Sequence, residues 1–347
     1  MTLFFSALAV VCFLSLRPVK NGLNASYMSI ENTTCVKGAF VLMVFLSHIN
    51  NYFTQSEAYT SSPLNSAYIF VQSHLGQAIV VMFLFYSGYG VAQSIAKKGD
   101  SYVRSMPRRR VLKTLVNFDI AVAVFLFVDL AIGTLSDYSI SRIFLSFTGW
   151  QSIGNSNWYI FAILMLYLIT YVSFLLFREN FKKSLWLVTA LTVVYIAVMA
   201  FFKDPWWFDT VILYPLGMWF SLGKDKITAL FEKKKFLYYK CFIALLAILL
   251  ITAVFFENAV CYEIFMVAFC FAVVLFTMKL NFKSRILNFF GKHLFEIYIF
   301  MRVPMMLLLN FGVDNIFVFT IVSLAATVLL SIVFHKIYSL ISLKFFA

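Results

Sequence analysis

The chain has 347 residues, 62% of them hydrophobic and 12% charged, with a mean hydropathy of +0.89. No water-soluble domain of this length carries such a composition, so the protein is read as an integral membrane protein. Its net charge of +13 could suit nucleic acid, but the basic residues recur loop by loop as a membrane-topology signal does, and no nucleic-acid partner is expected.

The first apolar stretch, residues 3–16, has no basic lead; Arg17 and Lys20 follow it, the wrong polarity for a cleaved signal peptide. Three readings stand: an extra span with its N-terminus outside, an interfacial segment, or a working chain that starts at Met28. Residues 1–27 are accordingly an N-terminal apolar extension and 28–347 one transmembrane domain. Runs long enough to cross a bilayer follow at about 36–55, 75–96, 111–133, 157–177, 185–202, 208–223, 239–256, 260–278, 289–310 and 315–340. They are continuous rather than alternating, which predicts helices: an all-α polytopic bundle of about ten core transmembrane helices, with an eleventh segment at the N-terminus. No hydrophilic segment is long enough to form a separate domain.

Lysines and arginines fall in every second loop, and only Arg142, Lys203 and Arg302 of the 28 lie elsewhere. The positive-inside rule then puts the basic loops, the chain just before Lys37 and the C-terminus on the cytoplasmic side.

The first core segment, Cys35 to Phe53, carries Lys37 and His48. Eleven residues make three helical turns plus about 20°, so the two side chains share a face, roughly 16 Å apart along the axis. If Lys37 lies at one interface, His48 lies near mid-membrane, since the hydrocarbon is roughly 30 Å thick. Asn51, Tyr52 and Gln55 extend the polar stripe at the i+3, i+4 and i+7 positions. An ionisable group at that depth suggests function, with His48 as base or nucleophile; a histidine hydrogen-bonded between helices is the structural alternative.

The next span ends in Phe83-Leu-Phe-Tyr-Ser-Gly-Tyr-Gly90, where Ser87, Gly88 and Gly90 admit a close backbone or a thin ligand. The loop after it holds Lys97, Lys98, Arg104, Arg108, Arg109, Arg110 and Lys113, suited to the phosphates of a soluble donor or to anionic lipid head groups. Further along, Asp119 and Asp129 fall within a span, and Arg302 lies in the outer half of another, with Asp129 as a candidate ion-pair partner. The outward loop Gly149 to Tyr159 is rich in Trp, Asn and Ser, and Trp158 and Tyr159 suit a sugar ring or an interfacial aromatic belt. Five cysteines lack CxxC spacing, so neither a disulfide framework nor a zinc site is expected, nor any bound cofactor.

Lys37-x10-His48 resembles the Arg-x10-His signature of the membrane-bound acyltransferase-3 family. Phe83 to Gly90 is similar to its Phe-Phe-x-x-Ser-Gly-Phe element, the stretch through Arg110 to its Arg-rich loop, and Trp158-Tyr159 with Tyr167 to its Trp-x-x-x-Tyr span. Gly291-Lys292 with Tyr298 resembles its late Gly-Lys-x-Ser-x-x-x-Tyr element. The resemblance covers about 28–340. It departs at Lys37, where Arg is commoner, at Ala162 and Ile163, where many members carry an acid, and at Arg302, near a second His of the family.

The resemblance implies a multi-pass O-acyltransferase of the bacterial cytoplasmic membrane. It would move an acyl group, acetyl being expected, from cytoplasmic acyl-CoA to a hydroxyl of a cell-surface polysaccharide or its lipid-linked precursor. His48 and Lys37 would be the catalytic positions. Ser87, Gly88, Gly90, Arg104, Arg108, Arg109 and Arg110 would bind the donor, and Asn51, Tyr52, Trp158, Tyr159 and Arg302 the acceptor. The rival reading is a transporter or flippase for a polysaccharide intermediate, with Asp119, Asp129 and Arg302 as pathway charges.

Overall fold

Apolar runs too long for anything but a helix in lipid fold as helices throughout the computed structural model, which describes residues 1–20, 22–54, 59, 61–178 and 180–345. In chain order these are α1 (Thr2–Ser15), α2 (Ile30–Phe53), α3 (Pro63–Leu75), α4 (Ala78–Lys98), α5 (Asp100–Met106), α6 (Lys113–Ile132), α7 (Ile140–Phe147), α8 (Trp158–Leu176) and α9 (Phe181–Phe202). Then come α10 (Leu213–Lys233), α11 (Lys235–Val254), α12 (Ala259–Lys279), α13 (Arg285–Lys292), α14 (Leu294–Phe300), α15 (Arg302–Asn310) and α16 (Ile316–Phe345). Gln55, the last member of the polar stripe, lies outside the described residues.

Among the described residues, eight helices are long and apolar enough to cross a membrane. The expected spans at 208–223 and 289–310 take other forms. The first is the apolar half of α10, whose second half carries Lys224, Asp225, Lys226, Glu232 and Lys233. The second is broken at His293, so that α13 stands apart from α14 and α15 and the broken pair makes a ninth candidate span. Residues 97–113, expected as a loop, are largely helical: α5 runs into a π-helical turn at Pro107–Leu112 and on into α6. Pro107 has no N–H to donate, which removes one α-type bond and favours the wider turn.

Contacts sort the chain into two compact units, Met1–Val44 with Glu57–Lys97 and Thr192–Lys292, and Phe45–Ser56 with Lys98–Leu191 and His293–Ala347. In the first, α1 packs on α3, and α10 and α12 pack on α11. The 14-residue α1 is shorter than the roughly 20 residues that a transmembrane helix needs. Its exit strand, Leu16–Pro18, pairs antiparallel with Leu280–Phe282 after α12. Buried Asn24 and Asn32 stitch the following segment to the same place: Asn24 Nδ2 donates to the Thr277 carbonyl at 3.2 Å, and Asn32 Oδ1 accepts from the Phe282 amide at 2.8 Å.

Two helix crossings in this unit are made through glycine on both sides. A Cβ at Gly38 would strike the Leu287 carbonyl, and one at Gly291 the Thr34 carbonyl, so α2 and α13 meet backbone to backbone. Gly88 against the Tyr214 carbonyl and Gly217 against the Phe85 carbonyl join α4 and α10 in the same manner. Small residues are what such approaches require where lipid gives no hydrophobic drive. In the second unit α14 and α15 pack on α16, α6 packs on α8 and α15, and α5 and the π turn lie against α8.

The same substitution should therefore act with opposite signs on two helical glycines. Gly38→Ala should lower the Tm of the detergent-solubilised protein, by the equivalent of about 1–3 kcal/mol for overpacking. Gly90→Ala, with no atom within 4 Å of the added Cβ, should leave Tm unchanged or raise it through helix propensity. A Gly38→Ala protein as stable as wild type would refute the backbone crossing.

Candidate active site

His48 lies in the last turns of α2, within the second unit, and its ring is half-buried. On its helix Phe45 and Ile49 are fully buried, so the end of α2 is embedded in packed side chains. The charge that acts on His48 is Arg302, which opens α15 immediately after the helix is interrupted at Met301. The Arg302 Nε is buried and, among the described residues, has no hydrogen-bond partner. Its cation also acts on the phenol of Tyr298, one turn earlier and 3% exposed. Tyr298 in turn meets the ring of Tyr159 edge-on, with centroids 5.5 Å apart. One imidazole, one guanidinium and two tyrosines thus gather from α2, α14, α15 and α8.

The polar stripe of α2 is only partly on this face. Tyr52 packs on Phe319 at 5.6 Å, and its hydroxyl is buried without a hydrogen-bond partner. Asn51 is exposed, whereas Asn50 is fully buried although it is turned about 200° from His48 at ~100° per residue. Sequence periodicity missed Asn50 because this end of α2 is buried on more than one side. Its signal would have been a polar residue next to Ile49 in a helix without a continuous lipid face.

Asp129 is fully buried near the end of α6, but it does not form the expected ion pair with Arg302. Among the described residues it accepts from the Thr134 hydroxyl at 2.8 Å, and the cation that acts on it is Arg142. Gly133, at φ +84°, ends α6 and returns the chain so that Thr134 reaches back to that carboxylate. Tyr138 links the two groups: its phenol feels Asp129, Arg142 and Arg302, and Arg142 sits over its ring at 4.7 Å. Burial raises the Tyr138 phenol above its ordinary value.

The Trp-, Asn- and Ser-rich loop folds inward on itself. Asn157 Nδ2 donates to the Gly149 carbonyl at 2.8 Å, and Arg142 forks onto the Ser152 carbonyl at 2.9 and 2.7 Å. Asn155, Ser156 and Asn157 are buried, and Asn155 Nδ2 and Ser156 Oγ have no hydrogen-bond partner. Gly154, at φ +93°, lies against Met306, one turn beyond Arg302. The loop therefore covers the α15 side of the cluster, with half-buried Trp158 and buried Tyr159 beneath it.

At the other end of α6 the arginines are held individually. Arg104 Nε donates to Asp100 at 2.6 Å, with Arg178 3.7 Å from the same carboxylate. Arg110 Nε donates to the Tyr102 hydroxyl at 3.0 Å, its guanidinium about equally near the Tyr102 and Tyr167 rings. Arg108 and Arg109 lie on the π turn and are exposed. Lys37, Ser87, Gly88 and Gly90 belong to the first unit. There the space that Gly88 leaves is filled by the α10 backbone, while Gly90 keeps open space.

Because Asp129 and Arg302 make no ion pair among the described residues and the Tyr138 phenol is a group that feels both, Asp129→Asn and Arg302→Gln should act independently on stability in a Tyr138→Phe background. Their Tm shifts in detergent should add in the double variant to within about 0.5 kcal/mol equivalents, whereas a direct pair would show 0.5–3 kcal/mol of coupling.

The family model of acyltransferase-3, described as an acyltransferase domain, matches residues 31–336. No curated protein and no solved structure matches the chain. The match runs from the first turn of α2 into α16 and takes in His48, Arg302, the π turn and the inward-folded loop. With eight helices able to span a bilayer among the described residues, the chain belongs to the acyltransferase-3 family and is a multi-pass membrane acyltransferase.

Proposed function

We propose that the protein is an O-acetyltransferase of a bacterial cytoplasmic membrane. Its donor is acetyl-CoA from the cytoplasm, and its acceptor is a hydroxyl of a cell-surface polysaccharide or its lipid-linked precursor. The observation that carries this reading is that His48 lies within the field of Arg302, a half-buried arginine whose buried Nε has no hydrogen-bond partner among the described residues. An imidazole can take the proton of the acceptor hydroxyl as its oxygen attacks the thioester carbonyl. A fixed cation can stabilise the oxyanion that develops there, and collapse of the tetrahedral intermediate expels the CoA thiolate.

Buried polar atoms without partners at Tyr52, Asn155 and Ser156 are suited to a hydroxyl-rich acceptor, with Trp158 and Tyr159 offering aromatic faces. Arg108 and Arg109, exposed on the π turn, are suited to donor phosphates, with Arg104 and Arg110 beside them. By the family resemblance Lys37 takes the signature basic position, and Ser87 and Gly90 serve donor binding. Gly88 contributes there only by bringing α10 close.

Membranes expressing the protein should transfer labelled acetyl from acetyl-CoA to glycan and release CoA, and His48→Ala at matched expression should abolish both. Arg302→Gln should lower kcat/KM by roughly 10²-fold or more, as loss of an oxyanion donor does, with partial recovery in Arg302→Lys. CoA release that survives His48→Ala would remove the histidine from the chemistry. If wild type releases no CoA, acetyl-CoA is not the donor.

A further inference from the structure

A second cluster of titratable groups lies in the same unit, at the helix break. His293 occupies the break itself and precedes the first residue of α14; Glu296 is in the first turn of α14; His335 comes from α16, against which α14 packs. Glu296 Oε1 and His335 Nδ1 are 2.6 Å apart. The His293 and His335 rings lie with centroids 4.9 Å apart at 76°. One ligand-capable atom from each residue lies within 4.8 Å of the other two.

We infer that His293, Glu296 and His335 form a binding site for a divalent transition-metal ion of the zinc class. Two imidazole nitrogens and one carboxylate oxygen are a ligand set that zinc takes with water in the fourth position. Imidazole in that set favours Zn²⁺, Co²⁺, Ni²⁺ and Cu²⁺ over Mg²⁺ and Ca²⁺, which prefer all-oxygen sites.

His293 reaches the hydrogen-bonded Glu296–His335 pair because the helix breaks at that residue, and the break brings three ligand-capable groups to one place. The cluster also has the access and mobility that loading needs. The His335 side chain is 54% exposed and can swing away from Glu296, which is 13% exposed and held in the packed turn. Metal–ligand bonds of about 2.0–2.2 Å would then replace the single hydrogen bond.

An ion there would clamp α14 to α16 immediately before Tyr298, and so would fix the helix that leads into Arg302 at the start of α15. This role is independent of the identity of donor and acceptor.

The test uses the full chain in detergent, purified with a histidine-free tag, stripped with chelator and titrated with Co²⁺. One equivalent should bind with the intense visible bands of a tetrahedral ion, Zn²⁺ should displace it, and Zn²⁺ should raise Tm. His293→Ala, His335→Ala and Glu296→Gln should each weaken binding at least tenfold, while His74→Ala, which removes a half-buried histidine of the other unit, should not. His335→Gln keeps a donor for Glu296 but is a poor ligand, so it should retain the wild-type metal-free Tm and still lose the bands. Absence of bound Co²⁺ in the wild type, or wild-type binding in His335→Gln, would overturn the site.

Discussion

A guanidinium cannot remain in the apolar interior of a membrane protein without something to answer its charge, and the second unit is organised around that requirement at Arg302. The polar groups of that unit sit within its field or one contact beyond it: His48 on α2, Tyr298 a turn earlier, Tyr138 on the loop that leads to α7, and Tyr159 beneath the inward-folded loop. Among the described residues no carboxylate is paired with it, and Asp129 is bound to Thr134 and faced by Arg142. An arginine whose charge faces imidazole and phenol groups keeps a strong field available to anything that enters. That is the difference between a structural ion pair and a site.

The first unit solves a different problem. Lipid offers helices no hydrophobic reason to associate, and long side chains hold their backbones apart. Reciprocal glycines remove the side chains at two crossings, so that the carbonyls of Leu287, Thr34, Tyr214 and Phe85 each occupy the space of a missing Cβ on the opposite helix. Asn24 and Asn32 then close the lead-in to α2 against the end of α12 through backbone groups. Shape here rests on main-chain contact more than on any particular pair of side chains.

Much of this was legible from residue order because lipid makes few demands and enforces them strictly. Apolar runs of sufficient length must be helices, and His48 and Arg302 stand out as ionisable groups within such runs. What escaped was set by contacts between distant segments. Gly88 could have been a ligand groove or a helix crossing, and only the Tyr214 carbonyl decides for the crossing. Asp129 and Arg302 lie at similar depths, yet the turn at Gly133 supplies a nearer partner in Thr134. The break at His293 hides inside an apolar run, with no proline beside it to mark it. Cysteine spacing excluded a zinc finger and could not report two histidines that meet only after α14 folds onto α16.

A π turn holds one residue more than the α-helix it interrupts, and each extra residue rotates everything beyond it by about 100°. The turn at Pro107–Leu112 carries Arg108, Arg109 and Arg110 and leads directly into α6, which holds Asp119 and Asp129. The chain therefore contains a built-in phase adjuster. Losing one residue there would restore an ordinary α-helix and turn the arginines to a new bearing while α6 kept its own contacts. Insertion or deletion at a single position there re-aims the same basic residues without redesigning the membrane span that follows.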